Sequence, residues 1–227
     1  MGDLHGRLIA FDLDGTLIDS SRDLAESINE LLAGFGVAPL PHDEITRMIG
    51  EGAKVLVRRA LAAAGIPEDA EAISRFLSIY DRRLLDHTIP YPGILDVVRA
   101  ARQHARVVVL TNKPTEPSEK VLSGLGMRDL FDEVIGSGGM YPRKPDPAAL
   151  VALMERAGAT RERTLMVGDS RIDYETARNA DVRCCLVSYG FSGHTFADIP
   201  VNGAWIVSDT TGLGDVISRF LGVRSTV

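Results

Sequence analysis

Short apolar runs that alternate with helical segments are the feature of this sequence that most constrains its fold. Turn residues bound the runs, so they are predicted to be buried strands. The predicted strands cover residues 8–11, 107–110, 133–135, 165–167, 184–187 and 205–207. Segments with helical periodicity lie at residues 94–104, 116–125, 147–157, 172–180 and 211–221. From residue 92 onward strands and helices alternate, which predicts an α/β fold with a parallel sheet covered on both faces.

The first two predicted strands are widely separated. About 90 residues lie between them, whereas a crossover between parallel strands needs only about a dozen. The intervening apolar residues recur at helical spacing, as Leu24, Ile28 and Leu31 do. The helices predicted there cover residues 23–35, 43–48, 53–64 and 69–86. We therefore expect a small helical domain inserted after the first strand, with hinge linkers rich in glycine and proline at its two ends.

The charge balance excludes two classes of partner. The chain has 227 residues, with 25 Lys and Arg against 31 Asp and Glu, and its formal net charge is −6. An acidic chain without a long run of basic residues lacks the electrostatic footprint of a protein that binds nucleic acids or anionic membranes. We therefore expect neither nucleic acid nor a membrane among its partners.

Cysteine and histidine usage restricts the kind of metal site. Cys184 and Cys185 are adjacent, so on a strand they point to opposite faces and are poorly placed to bond each other. Without zinc-type cysteine pairs or clustered histidines, a metal must be held by oxygen. The apolar run at residues 8–11 is too short for the core of a signal peptide or a membrane span. These features predict a cytoplasmic protein without disulfides.

Two acidic residues follow the first predicted strand directly. Strand periodicity places Asp12 and Asp14 on the same side of the chain and turns Leu13 toward the core. In open α/β sheets, ligands bind at the carboxyl ends of the strands. The sequence therefore predicts a carboxylate pair at a ligand-binding edge.

Polar residues stand at or near the ends of the later strands too. Taken singly, each is also compatible with a helix cap, a turn or an exposed loop. They are Thr111 and Asn112 after the second strand, Lys144 in a loop, and Asp169 with Asp173 after the strand at 165–167. Because the carboxyl ends of parallel strands meet at one edge, the coincidence predicts a single site.

The predicted cluster of carboxylates needs positive charge. Two like charges about 4 Å apart repel by roughly 4 kcal/mol at an effective dielectric near 20. A hard divalent cation with oxygen ligands compensates this repulsion, and beside phosphate that cation is usually Mg²⁺. Lys144 offsets further negative charge. This combination is suited to phosphoryl transfer, in which catalysis is mostly positioning and charge stabilisation.

The chain resembles the haloacid dehalogenase superfamily of phosphohydrolases in four motifs. In chain order they are Asp12-Leu13-Asp14-Gly15-Thr16, Thr111-Asn112, Lys144-Pro145 and Gly168-Asp169-Ser170-Arg171-Ile172-Asp173. Within that superfamily, residues 49–57 and Pro90-Tyr91-Pro92-Gly93 resemble the bacterial phosphoglycolate phosphatases. The resemblance implies a Rossmann-like core of residues 1–17 and 91–227, with residues 18–90 as a helical cap domain.

The resemblance also implies roles in the reaction. Asp12 would attack phosphorus to form an aspartyl phosphate, and Asp14 would protonate the leaving group and later activate water. Thr111, Asn112 and Lys144 would hold the phosphoryl oxygens. Mg²⁺ would be the cofactor.

The resemblance implies a set of magnesium ligands as well. They are Asp12, the backbone carbonyl of Asp14, and Asp169, with Asp173 either behind them or in direct contact. One position departs from the family's pattern, because Asp181 stands where the family usually has glycine. Aspartate tolerates a left-handed backbone moderately well, so we expect an effect on local packing and none on the chemistry.

The start of the helix near residue 53 is predicted to select the substrate. Gly50 and Gly52 precede a helix whose free amides are suited to an anion, and Lys54 or Arg58 would add positive charge. A plain turn beside a solvated basic face is the alternative. Together with the resemblance, this loop predicts a small phosphate ester with its own carboxylate, such as 2-phosphoglycolate.

Other functions remain open at this stage. A sugar phosphomutase of the same superfamily would use the same Asp12 and Asp14 but return the phosphoryl group to a sugar hydroxyl. A pyrophosphatase is another enzymatic alternative, and a dehalogenase is a further one, although dehalogenases lack the second aspartate that Asp14 supplies here. A signalling receiver domain also accepts a phosphoryl group on aspartate, but receivers are much shorter and have no helical insertion. The sequence does not distinguish a monomer from a homodimer.

Overall fold

The computed structural model describes residues 6–192, 196, 199–200 and 204–223. Its strands in chain order are β1 (Leu8–Phe11), β2 (Ile18–Asp19), β3 (Ile89–Pro90), β4 (Arg106–Pro114), β5 (Glu133–Ser137), β6 (Thr164–Gly168), β7 (Arg183–Val187) and β8 (Trp205–Val207). Within the described residues, six of them form one sheet in the order β5-β4-β1-β6-β7-β8. Each neighbouring pair is parallel. The predicted α/β fold is confirmed.

Strand β1 lies in the middle of this sheet, and its position determines where the first acidic motif emerges. Phe11 is in register with Val109 of β4 on one side and with Val167 of β6 on the other. The four residues of β1 are fully buried. The chain runs outward through β4 and β5, then returns to the other side of β1 for β6, so the strand order reverses here. Such a switch point is where open α/β sheets bind ligands.

The chain between β2 and β3 is helical in the described residues. Its helices are α1 (Ser21–Ala33), α2 (His42–Thr46), α3 (Ala53–Ala63) and α4 (Ala72–Arg83). Their buried apolar residues, such as Ile28 and Phe76, belong to the same hydrophobic cluster as Phe11 of the sheet. The division into a core of 1–17 and 91–227 and a cap of 18–90 stays a prediction, and residues 1–5, 193–195, 197–198, 201–203 and 224–227 of that core lie outside the described residues.

Two short strands join the helical segment to the sheet. β2 and β3 pair antiparallel, with Ile18 opposite Pro90 and Asp19 opposite Ile89. They lie where glycine and proline predicted hinge linkers. The sequence did not predict these strands, because two residues are too few to show a periodicity.

Five further helices follow β3 in the described part of the chain and cover the two faces of the sheet. They are α5 (Ile94–Arg102), α6 (Thr115–Gly124), α7 (Ala148–Ala157), α8 (Arg171–Asn179) and α9 (Thr210–Leu221). Helices α5, α6 and α9 pack on the face that contains Cys185, and α7 and α8 pack on the face that contains Cys184. The adjacent cysteines are therefore on opposite faces, as predicted, and both thiols are free.

The backbone at Asp181 was also expected from the sequence. Asp181 adopts a φ of 57° after α8, so it occupies the left-handed region in which glycine is favoured. No helix among the described residues is long and apolar enough to cross a membrane. A cytoplasmic location and the choice between monomer and homodimer stay predictions.

Candidate active site

Asp12 leaves β1 at the carboxyl edge of the sheet and meets a buried lysine there. Its Oδ1 lies 2.9 Å from Nζ of Lys144, whose side chain is 2% exposed. Burial raises the pKa of Asp12 most strongly, Lys144 lowers it and Asp173 raises it, so the result is about 6. Burial alone would lower the pKa of Lys144, but the two carboxylates outweigh it and raise that pKa above its ordinary value. Lys144 is therefore a charged group held between two acids.

Asp173 is fixed from two sides at the start of α8. Its Oδ2 accepts hydrogen bonds from the backbone N (3.1 Å) and Oγ (2.6 Å) of Ser170. The Ser170 side chain in turn accepts from the Asp173 backbone N, which completes a capping box. Lys144 Nζ donates to Asp173 Oδ1 at 2.6 Å. Both oxygens of this fully buried carboxylate are therefore engaged within the protein.

Asp169 follows β6 and is held by backbone amides. Its Oδ2 accepts from the N–H groups of Phe191 (2.7 Å) and Ser192 (3.3 Å). Burial raises the pKa of Asp169 well above its ordinary value, and the charges of Asp173 and Asp12 add to the effect. A buried acid with acidic neighbours needs a cation to stay ionised.

The three carboxylates together form a set of oxygen donors suited to a hard cation. One oxygen each from Asp12, Asp169 and Asp173 lie within 4.8 Å of one another, and all three residues are buried. Asp12 Oδ1 accepts no hydrogen bond of ordinary geometry despite its contact with Lys144. Buried oxygens with excess negative charge fit Mg²⁺ better than a softer metal.

Gly15 makes the close approach of the first acidic motif to Asp169 possible. It has a φ of +85°, and a Cβ at this position would lie 2.4 Å from Asp169 Oδ2. Gly190 packs closely against Gly15, since a Cβ at position 190 would lie 2.2 Å from the Gly15 carbonyl oxygen. Residues with side chains at these positions would push Asp169 out of place.

Asp14 is bound to a lysine that the sequence analysis missed. Nζ of Lys113 lies 3.2 Å from Oδ1 and 3.3 Å from Oδ2 of Asp14, and Ser20 Oγ donates to Oδ1 at 2.6 Å. Lys113 also donates a short hydrogen bond to the Tyr80 hydroxyl. Burial alone would lower the Lys113 pKa, but Asp14 and Tyr80 raise it above its ordinary value. The available signal was that Lys113 follows Thr111 and Asn112 in the same strand.

Thr111 and Asn112 lie within β4, which continues to Pro114 beyond the predicted strand end at residue 110. Oγ1 of Thr111 accepts from the backbone N of Lys113 at 3.2 Å. Nδ2 of Asn112 donates to the carbonyls of Lys144 (3.2 Å) and Gly50 (3.4 Å). Asn112 Oδ1 is buried and has no hydrogen-bond partner. Asn112 therefore connects β4 to the loop that carries Lys144 and to the helical segment at Gly50.

A cavity separates this edge of the sheet from the helical segment. The sheet side contributes Asp12, Asp14, Thr111, Asn112, Lys113, Pro114 and Pro117, and the helical side contributes Leu24, Ile49, Gly50, Gly52, Ala53, Leu56, Phe76, Leu77 and Tyr80. Most of the polar groups thus lie on the sheet side, and the helical side is largely apolar. Such a cavity admits a small ligand with one strongly polar end.

The structure brings the two predicted glycines to this cavity but not the two predicted basic residues. Gly50 and Gly52 line it, whereas Lys54 and Arg58 are exposed and are not among its lining residues. Helix α3 buries Leu56 and other apolar side chains instead. The expected contact of Lys54 or Arg58 with a ligand is therefore absent from this arrangement of the described residues.

Comparisons with known proteins identify a family that matches most of this chain. Residues 9–187 match the family model of haloacid dehalogenase-like hydrolases. A phosphoglycolate phosphatase of Caulobacter vibrioides is 38% identical over 215 residues, which cover 87% of this chain and 91% of the relative. One of Rhodospirillum rubrum is 40% identical over 219 residues, covering 92% and 90%. A crystal structure of a predicted phosphoglycolate phosphatase from Haemophilus somnus has a TM-score of 0.82 and 28% identity, covering 93% of this chain and 97% of that one.

Proposed function

Because the chain belongs to the haloacid dehalogenase-like hydrolase family and is a phosphatase, we propose that it hydrolyses small phosphate monoesters through an aspartyl phosphate on Asp12. Mg²⁺ is its cofactor and 2-phosphoglycolate its preferred substrate. The observation that carries the proposal is the buried cluster of Asp12, Asp169, Asp173 and Lys144 beside a cavity that Asp14 also lines.

In the first step, a carboxylate oxygen of Asp12 attacks phosphorus. A bond forms between that oxygen and phosphorus, the bond from phosphorus to the ester oxygen breaks, and Asp14 donates a proton to the leaving oxygen. Lys144 supports this step because its charge favours the ionised form of Asp12, which is the nucleophile. Asp12 and Asp14 line the same cavity, which supports the roles of nucleophile for Asp12 and of proton donor for Asp14.

In the second step, Asp14 takes a proton from water. The water oxygen attacks phosphorus, the bond between phosphorus and Asp12 breaks, and inorganic phosphate leaves with Asp12 restored. Asp14 is suited to both proton transfers because Ser20 and Lys113 hold its carboxylate in place. Its side chain is 14% exposed, so water has access to it.

The phosphoryl oxygens need donors at the edge of β4. The Thr111 hydroxyl accepts a hydrogen bond from Lys113 N and keeps its own proton for a phosphoryl oxygen. The Asn112 amide already donates to two carbonyls, and one of them belongs to Lys144. Asn112 therefore orients the loop that carries Lys144, and its predicted contact with a phosphoryl oxygen requires one of these two hydrogen bonds to be exchanged.

Mg²⁺, when bound, supplies a Lewis acid that stabilises charge on the phosphoryl group. Asp12 and Asp169 would hold it together with the main-chain carbonyl of Asp14. Asp173 has both oxygens engaged by Ser170 and Lys144, which favours a role behind the metal ligands.

The choice of 2-phosphoglycolate rests on the relatives and on the lining of the cavity. The relatives named phosphoglycolate phosphatase match most of this chain. Leu56 and Phe76 make the helical side of the cavity apolar, which disfavours a leaving group with many hydroxyl groups, such as a sugar. The predicted contacts of Gly50 and Gly52 with the substrate agree with their place in the cavity wall.

A screen of phosphate esters tests the proposal. Release of phosphate from 2-phosphoglycolate, sugar phosphates, pyrophosphate and nucleotides is measured with Mg²⁺ and with a chelator, and the substrates are ranked by kcat/KM. We expect 2-phosphoglycolate to rank first and the chelator to abolish turnover. Pyrophosphate in first place would indicate a pyrophosphatase, and conversion of sugar phosphates without phosphate release would indicate a mutase. A single equivalent of phosphate from acetyl phosphate would indicate a receiver.

A further inference from the structure

The cavity contains a second buried lysine whose surroundings differ from those of Lys144. Lys113 is 6% exposed, and its Nζ lies between the Asp14 carboxylate and the hydroxyl of Tyr80. The same Nζ is 4.4 Å from the centroid of the Tyr80 ring. Tyr80 comes from α4 of the helical segment and stacks on Phe76. The lysine of the sheet and the tyrosine of the helices thus form one polar patch in a mostly apolar wall.

This patch lies on the side of the cavity where the leaving group must be. Asp14 has to reach the ester oxygen to protonate it, and Lys113 Nζ is 3.2 Å from Asp14 Oδ1. In 2-phosphoglycolate one methylene group separates the ester oxygen from the carboxylate. Because Lys113 contacts Asp14, and Asp14 must reach the ester oxygen, a carboxylate one methylene group away from that oxygen is within reach of Lys113.

Lys113 is also the one basic residue among the described residues that line the cavity. Lys144 pairs with Asp12 and Asp173 and is not among the lining residues of the cavity, and Lys54 and Arg58 are exposed outside the cavity. A carboxylate taken out of water needs a charged or hydrogen-bonding partner. Within this cavity, Lys113 with the Tyr80 hydroxyl meets that need.

We propose that Lys113 and Tyr80 together bind the carboxylate of the leaving group and so determine the preference for phosphate esters with a carboxylate two bonds from the ester oxygen. The proposal rests on the proposed function and extends it. Lys113 supplies an ammonium that Asp14 and the substrate carboxylate share, and Tyr80 supplies a hydroxyl donor whose position depends on α4. Lys113 is therefore a specificity-determining residue contributed by the sheet, and Tyr80 is its counterpart in the helical segment.

The test compares two esters of similar size in variants of these residues. Lys113→Met and Tyr80→Phe are assayed on 2-phosphoglycolate and on ethyl phosphate, which lacks the carboxylate. Loss of a charge-assisted hydrogen bond predicts a fall of roughly 10- to 100-fold in the ratio of the two kcat/KM values. We expect the fall to come mainly from KM for 2-phosphoglycolate. Lys120→Met is the matched control, since Lys120 is exposed and pairs with Asp81.

Each result of this test bears on one proposal. An unchanged ratio in Tyr80→Phe overturns the assignment, and if Lys113→Met does not fold, the Tyr80→Phe ratio decides alone. A selective loss on 2-phosphoglycolate in Lys54→Ala or Arg58→Ala, with the ratio kept in Lys113→Met, also overturns it. Wild-type protein without activity on any ester would remove the proposed function itself.

Discussion

Of the three buried carboxylates Asp12, Asp169 and Asp173, Asp12 is the one with a buried oxygen that lacks a hydrogen-bond partner. Asp173 accepts hydrogen bonds on both oxygens, and Asp169 accepts two from backbone amides. Oδ1 of Asp12 forms an ion pair with Lys144, but this same oxygen accepts no hydrogen bond of ordinary geometry. A buried polar atom without a partner is costly and usually has a functional reason. That difference distinguishes a nucleophile from the two acids that surround it.

Replacement of Asp12 tests this role directly. Asp12→Asn keeps the shape of the side chain but removes the nucleophile, so phosphate release should fall by at least about 1,000-fold. The melting temperature should not fall, because the change also removes a buried charge that Asp173 repels. Asp96→Asn is the control, since Asp96 is exposed on α5 and pairs with Arg99. Retention of more than a few per cent of activity would contradict a covalent role for Asp12.

A pair of glycine variants separates backbone strain from crowding. Gly15 and Gly36 both have positive φ, +85° and +74°, but a Cβ at Gly36 would meet nothing within 4 Å. Alanine should destabilise the protein by about 1 kcal/mol at Gly36 through backbone strain alone. Gly15→Ala should lose more stability and most of its activity, because the new methyl collides with Asp169. Equal melting temperatures and equal activities of the two variants would refute this account.

At the scale of elements, strands β1, β4 and β6 bring the motifs together. Their mutual register places Phe11 beside Val109 and Val167, so the acidic motifs that follow β1 and β6 leave the sheet at the same level. The sequence predicts this much, since apolar runs locate the strands and parallel strands share an edge. It does not predict contacts across elements, such as that of Lys113 with Tyr80, because those depend on how the helical segment packs.

The predicted substrate contacts of Lys54 and Arg58 on α3 also depend on packing that the sequence does not show. The apolar pattern correctly predicts a helix that begins at Ala53. A motif of two glycines and a lysine indicates an anion-binding helix start, but it does not determine which face of that helix turns toward the cavity. Packing turns Leu56 toward the cavity and leaves Lys54 and Arg58 exposed. The available signal in the sequence was the spacing of the apolar residues Leu56, Val57 and Leu61 along α3.

The N-terminus of α8 carries a prediction at this scale. Ser170 caps α8 and holds Asp173, whereas Asp209 caps α9 by accepting from Gly212 N at 2.8 Å and does not line the cavity in the described part of the chain. Alanine at either cap should reduce the free energy of unfolding by roughly 0.5–2 kcal/mol. Only Ser170→Ala should also reduce kcat/KM, by roughly 10- to 100-fold, because Asp173 then orients Lys144 poorly. Denaturant unfolding and phosphate release measure the two effects, and a similar loss of activity in Asp209→Ala would contradict the distinction.

For the whole molecule, the site depends on contact between the helical segment and the sheet. Asn112 reaches Gly50, and Lys113 reaches Tyr80. Arg83 pairs with Glu30 and thereby joins α4 to α1, so Tyr80 is part of a connected helical unit. In the proposed mechanism the sheet supplies the groups that react with phosphorus, and the helices supply most of the wall around the leaving group.

Magnesium should stabilise the whole protein as well as activate it. Asp12, Asp14, Asp169 and Asp173 meet only Lys113 and Lys144 as basic partners in the contacts of the described site, so four carboxylates share two lysines. A ligand that binds the folded state alone stabilises it by about 2.7 kcal/mol at 100 times its Kd. Saturating Mg²⁺ should therefore raise the melting temperature relative to a chelator at equal ionic strength. In Asp169→Asn, Mg²⁺ should no longer raise the melting temperature and should no longer increase turnover above the level measured with the chelator. The exposed control Asp96→Asn should keep both responses. An equal melting temperature of wild-type protein with Mg²⁺ and with chelator would mean that these carboxylates do not bind the ion.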